Sequence, residues 1–181
     1  MKNKQIIFVL GIMTGNSIES RWKKWLCEIF PYDEVIMIGE FYTYFDYAGM
    51  QKRVKKIIEL IENKKETILI GHSFGSLIMT SALAQSKENN VTNFISIFSP
   101  HKLNIFGMKK RKNLIGYSNK IDKKIKVKSY GAYIDHLAPF FLTKIGNEKH
   151  KNYFTDHYIE LSRSERFFKK LILDGLNENK E

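Results

Sequence analysis

The 181-residue chain carries a single cysteine, Cys27, and only three prolines. One cysteine excludes an intrachain disulfide, and no Cys/His spacing resembles a zinc site, so a reducing compartment fits and no metal is needed. No stretch approaches the roughly 20 consecutive apolar residues of a membrane span. Lys2 and Lys4 precede the apolar run 6–13 as in a secretory leader, but that run is short and lacks an Ala-x-Ala-like cleavage site. The expectation is a soluble, cytoplasmic protein with no cofactor. Acidic residues are also scarce, 19 against 30 basic ones, giving a formal charge of +11. The excess is local: Lys102 to Lys128 holds ten Lys or Arg against one acid, Asp122, and contributes +9. No helix-turn-helix, RNP or zinc-finger signature accompanies it, which speaks against nucleic acid. A solvated connection accounts for the segment, and as a flap it would also attract an anionic substrate or anionic lipid.

Repeats, low-complexity tracts and linkers are absent too, so residues 1–181 read as one domain, able to bury about 70% of its unfolded surface. Within it, strand and helix patterns alternate. Gln5 to Leu10, Val35 to Ile38, Thr67 to Ile70, Asn93 to Phe98, Ile125 to Tyr130 and a short run near Asn152 to Phe154 read as strands. Between the first two, Ile18, Trp22, Trp25, Leu26, Ile29 and Phe30 recur at helical spacing, with Ser17 as N-cap and Pro31 as the stop. Met50, Val54, Ile57, Ile58 and Ile61 mark a second amphipathic helix, and Phe167, Phe168, Leu171 and Ile172 a last one stopped by Gly175. This alternation predicts an α/β fold: a three-layer α/β/α sandwich around a mainly parallel, roughly six-stranded sheet.

Gly71-His72-Ser73-Phe74-Gly75 fits Gly-x-Ser-x-Gly and lies between a strand pattern and a helix pattern, the context of a nucleophile elbow. The glycines remove Cβ atoms where a sharp turn brings backbones together, and the serine between them is strained and held outward. Phe74 N–H, at the helix start, is placed to donate to an oxyanion. A phosphate loop or a plain tight turn would use similar residues.

Reacting groups in a parallel sheet gather at the carboxyl ends of strands. There Asp135 follows the fifth strand and His157 the sixth, giving the chain order Ser73, Asp135, His157. His157 would relay the serine proton and Asp135 would fix its tautomer; the competing explanation is an ordinary loop acid and a surface histidine. His72 and His136 adjoin other candidates and suit packing or hydrogen bonding better than catalysis. His101 and His150 lie among polar residues and read as surface side chains. Asp156 is too near His157 in sequence to orient it easily.

The elbow, the Gly131 to Asp135 segment with Leu137-Ala138-Pro139 after it, and the ending His157-Tyr158-Ile159-Glu160-Leu161-Ser162 together resemble the α/β-hydrolase superfamily. Within it the chain looks like the minimal, capless bacterial lipases and the esterases similar to the GPI-inositol deacylase group. The resemblance spans nearly the whole chain and implies a serine esterase. It also matches Gly11 to the glycine of that family's oxyanion loop, making Ile12 N–H the second donor beside Phe74 N–H. Leu10 stands where that loop usually has histidine. Phe41, Tyr42 and Tyr44 after the second strand, and Phe140 and Phe141 after the acid loop, would wall an acyl or aromatic pocket or else pack those loops onto the sheet. Carboxyl-ester hydrolysis leads; an acyltransferase or thioesterase using the same triad, and a non-catalytic binding protein on a hydrolase scaffold, are the alternatives.

Overall fold

The computed structural model describes residues 4–11, 15–39, 47–63, 65–101, 121–134, 143, 149–156 and 159–177. Six strands, β1 (Gln5–Val9), β2 (Glu34–Ile38), β3 (Thr67–His72), β4 (Val91–Ile97), β5 (Lys126–Ala132) and β6 (Lys149–Tyr153), pair in the order β2-β1-β3-β4-β5-β6, and every pairing is parallel. The helices are α1 (Asn16–Ile29), α2 (Tyr47–Ile61), α3 (Phe74–Gln85), α4 (Ile159–Arg163) and α5 (Glu165–Leu176). The fold class expected from the sequence is the one observed.

Buried strands alternate their side chains between two cores, because successive residues of a strand face opposite sides of the sheet. Ile7, Val9, Leu69 and Phe94 point toward Val54, Ile57, Leu77 and Ile78 of α2 and α3. Ile6, Phe8, Ile70 and Ile95 point the other way, toward Trp22 and Leu26 of α1 and Phe168 and Leu171 of α5. Phe8, Trp22 and Phe168 form the centre of that second core, with ring centroids 5.5 to 5.9 Å apart. α3 is buried from Phe74 through Leu83, a consequence of its nearly uniform apolar and small residues.

Helix ends depart from the sequence expectation in three places. α1 begins at Asn16 with Gly15 as its N-cap, so Ser17 lies inside the helix. The last helical segment is two helices, broken at Ser164, whose hydroxyl accepts from Phe167 N–H at 3.2 Å and caps α5. Gly175 is inside α5, and Asn177 is the C-cap. A Cβ on Gly175 would lie 2.5 Å from Ile95 Cδ1 and 2.8 Å from its Cγ1, so the glycine permits close approach of helix and sheet. No helix among the described residues is long and apolar enough to cross a membrane.

Two effects of opposite sign meet at Gly175. Alanine is favoured over glycine in a helix by about 1 kcal/mol, but forcing a methyl against the fully buried Ile95 is overpacking, which costs about 1–3 kcal/mol. Gly175→Ala is therefore expected to destabilise, and urea denaturation would show it; a rise in stability would mean the helix does not press on β4.

Candidate active site

The order of the sheet reverses between β1 and β3, and the carboxyl ends of these neighbours form the crevice where parallel sheets place ligands. Ser73 stands there, joining β3 to α3 with φ 53° and ψ −127°. Phe98, at the end of β4, is the other described non-glycine residue with positive φ, at 50°. Such a conformation costs about 1–3 kcal/mol and persists only where the surroundings dictate it. Here Ser73 N–H donates to Ile97 O at 2.8 Å and Ser76 N–H donates to Ser73 O at 3.2 Å.

Three glycines let the backbone close around this turn. A Cβ at Gly71 would lie 2.6 Å from Ser76 Cα, and one at Gly75 would meet the Val9 and Leu10 carbonyls of the first strand's end. The nearest neighbours of the two motif glycines therefore differ: the start of α3 for Gly71 and the end of the first strand for Gly75. At Gly11 a Cβ would lie 2.7 Å from Ser73 Cβ and 3.2 Å from its Oγ. The loop after β1 therefore passes directly against the nucleophile candidate. Phe74 is the first residue of α3, so its amide sits at the positive end of the helix dipole, beside the partly exposed Ser73.

Ile12, Asp135, His157, Phe41, Tyr42, Tyr44, Phe140 and Phe141 lie outside the described residues. The chain flanking two of them is held firmly. Tyr133 N–H donates to Tyr153 O at 3.0 Å and Ile134 N–H to Thr155 O at 3.1 Å, so β5 and β6 stay paired up to the residue before Asp135. On the far side of His157, Trp22 Nε1–H donates to Leu161 O at 3.2 Å and the Arg21 guanidinium to Ser162 O at 2.6 Å, tying α4 to α1. Tyr133, Ile134 and Phe154 at this edge are 51%, 44% and 83% exposed, an apolar lip that the sequence analysis did not single out.

His72 is buried edge-on between Trp22 and Phe98, with ring centroids 5.2 and 6.5 Å away, in keeping with a packing role. His101 and His150 are not the surface residues expected from their polar surroundings. His101 is 4% exposed, and its Nε2 bonds the Ser96 hydroxyl at 2.7 Å. Burial, reinforced by the nearby His150, pulls its pKa down to about 3, so it is neutral at pH 7. His150 belongs to β6, which starts earlier than expected, and bonds Ser129 Oγ at 2.7 Å and Asn152 Oδ1 at 2.8 Å. The sequence hid His150 because its serine partner is 21 residues away on another strand, and His101 because only the fold turns it back onto Ser96, five residues earlier.

The described end of the basic segment lies at the other end of the sheet from Ser73. Lys126 and Lys128 begin β5, and with Lys123 and Lys149 they line a groove of about 460 Å³ beside the C-terminal end of α5. Among the described residues no three His, Cys, Asp or Glu side chains gather as a metal site requires.

A parallel sheet in this order, with a strained serine between β3 and α3 at its switch point, defines an α/β hydrolase. The chain belongs to the palmitoyl protein thioesterase family, whose model matches residues 17–171, and is thus a hydrolase of the superfamily its sequence resembles. No curated protein matches it in sequence. Among solved structures it is similar to a lipase-esterase related protein from Clostridium acetobutylicum, at 15% identity and TM-score 0.66, covering 96% of this chain and 94% of that one. It is also similar to the esterase domain of a Rhodothermus marinus protein, at 8% identity and TM-score 0.63, covering 93% and 84%. A third is Est1E from Butyrivibrio proteoclasticus, at 15% identity and TM-score 0.60, covering 98% and 90%.

Two measurements probe this geometry. Gly11→Ala places a methyl against Ser73 and is expected to cut turnover at least about tenfold while the protein stays folded; full activity would show that the loop can retreat. For His101 the folded pKa lies below the ordinary 6.5. Between those pH values the unfolded chain takes up a proton that the folded chain refuses, so stability falls on acidification, by up to about 1.4 kcal/mol per pH unit. His101→Gln is expected to flatten the fall in unfolding free energy between pH 7 and pH 5, whereas equal slopes would mean His101 titrates as if exposed.

Proposed function

We propose that the chain is a serine hydrolase that cleaves a fatty acyl thioester or ester, with Ser73 as nucleophile, His157 as base and Asp135 as its orienting acid. The observation that carries this reading is the strained Ser73 at the switch point, beside the Gly11 loop and at the N-terminus of α3. Ser73 Oγ attacks the acyl carbonyl as His157 takes its proton. Phe74 N–H and Ile12 N–H receive the resulting oxyanion. Collapse of the tetrahedral intermediate expels the thiol or alcohol, protonated by His157, and leaves an acyl-serine. Water, deprotonated by the same histidine, then releases the acid and restores Ser73. Asp135 and His157 each follow a described, paired strand end on the Ser73 side of the sheet, which supports their meeting there.

Membership of a family named for palmitoyl protein thioesterases favours a long acyl chain on sulfur. The exposed Tyr133, Ile134 and Phe154 support an apolar acyl group entering from this edge, with Phe41, Tyr42, Tyr44, Phe140 and Phe141 as further pocket walls. Attraction of anionic substrates or lipid by Lys102 to Lys128 falls to residues 102–120, since the later lysines precede or begin β5 at the opposite end. A single cysteine supports a reducing, cytoplasmic setting. An acyltransferase would share the acyl-enzyme, and adding alcohol or thiol acceptors would reveal transfer in place of hydrolysis.

Ser73→Ala and His157→Ala are each expected to lower hydrolysis of a palmitoyl thioester by about four or more powers of ten, and the double variant by little more, because the pair acts as a unit. Asp135→Asn should approach a loss of 10⁴, while Asp156→Asn changes little. A fluorophosphonate probe should modify Ser73 and no other residue. Retained labelling in Ser73→Ala, or additive losses in the double variant, would refute the assignment.

A further inference from the structure

Ser96, Ser129 and His150 form one row across β4, β5 and β6: Ser96 is the register partner of Ser129, and Ser129 that of His150. The row is buried at its serines, and His101 closes it at the β4 end. In a doubly covered parallel sheet such a polar row displaces apolar packing, so its retention needs a reason beyond stability. At the β6 end His150 joins it to Asn152. Asn152 Oδ1 only accepts, so His150 Nε2 carries the proton and donates to it at 2.8 Å, while Nδ1 accepts from the Ser129 hydroxyl at 2.7 Å. Thr143, fully buried, brings its hydroxyl to 3.4 Å from Nε2.

Gly131 lies over this cluster. A Cβ there would be 2.5 Å from Thr143 Oγ1 and 3.3 Å from His150 Nε2, and would meet Asn152 Oδ1 more closely still. Gly131 is four residues before Asp135 and Thr143 eight after it. The two sides of the segment bearing the proposed acid are therefore brought together on one histidine.

We propose that His150 is a positioning residue, which clamps Gly131 and Thr143 and so fixes the Asp135 carboxylate for its histidine partner. This rests on the assignment of Asp135 above. His150 touches no substrate; it acts through the acid, as supporting groups do in sites held to sub-ångström precision.

The test is a set of variants read by kinetics and pH profile. A displacement of about 1 Å in a catalytic group costs about 100-fold, so His150→Ala is expected to lower kcat by about 10- to 100-fold with KM within about twofold. The acidic limb of kcat/KM should move to lower pH, because an imidazolium without a well-placed carboxylate gives up its proton more readily. His150→Gln, whose amide supplies both a donor and an acceptor, should recover most of kcat. Gly131→Ala pushes the same cluster from the opposite side and should reproduce the kcat loss and the pH shift if His150→Ala does not fold. In an Asp135→Asn background, His150→Ala or Gly131→Ala should add less than about twofold, since there is then no carboxylate to misplace. If Asp135→Asn is severely impaired and a clamp variant still multiplies the loss in full, or lowers only thermal stability, positioning is refuted while the triad stands. If Asp135→Asn is fully active, the acid assignment fails and this proposal with it.

Discussion

Everything at the carboxyl edge depends on a backbone turn that is unfavourable by itself. Ser73 keeps φ 53° because the carbonyl of Ile97, the ends of β1 and the first turn of α3 all press on it at once. Glycine is required at positions 11, 71 and 75 for separate reasons: one leaves room for the serine, one for the helix start, one for the carbonyls of the first strand. The consequence is preorganisation. A hydroxyl and a helix-terminal amide are fixed before any ligand arrives, so the proposed reaction needs no reorganisation of them as charge develops.

Much of this was legible in the sequence because sterics write themselves locally. Gly-x-Ser-x-Gly between an apolar run and a helical pattern states the turn, and continuous β-branched runs state strands buried on both faces. What was not legible depends on partners far away in the chain. β6 begins with Lys149-His150-Lys151, too polar to resemble a strand until its pairing with β5 is known. His150 passes for a surface residue until Ser129 arrives beside it. Gly175 imitates a helix stop, and only the position of Ile95 reveals why it is small.

The molecule uses its two cores differently. On the α2 and α3 side, aliphatic side chains and Phe74 pack behind the elbow, with Ser76, Thr80, Ser81 and Arg53 buried among them. Toward β5 and β6, the sheet accepts hydroxyls, imidazoles and an amide, whose directional bonds specify loop position more narrowly than apolar contacts do. On the opposite side, Trp22 joins packing to hydrogen bonding: its ring packs edge-on against Phe8 in the α1 and α5 core while its indole N–H holds a carbonyl of α4.

An exclusively parallel sheet also governs the order in which the molecule assembles. Among the described residues it contains no hairpin, and even its nearest paired residues, such as Lys128 and Lys149, are 21 positions apart. Every strand pairing must await a long crossover, so loop-closure entropy is met repeatedly before contacts repay it and folding is slow for the chain's size. During synthesis β1, β3, α3 and β4, whose Ile97 carbonyl accepts from Ser73 N–H, can meet before β5 and β6 are made. Ser73 is then shaped early, and β6, the last strand in both sequence and sheet, arrives late. A ribosome-bound chain, or one truncated after β4, would hold a formed elbow without the strand ends that precede the proposed acid and base.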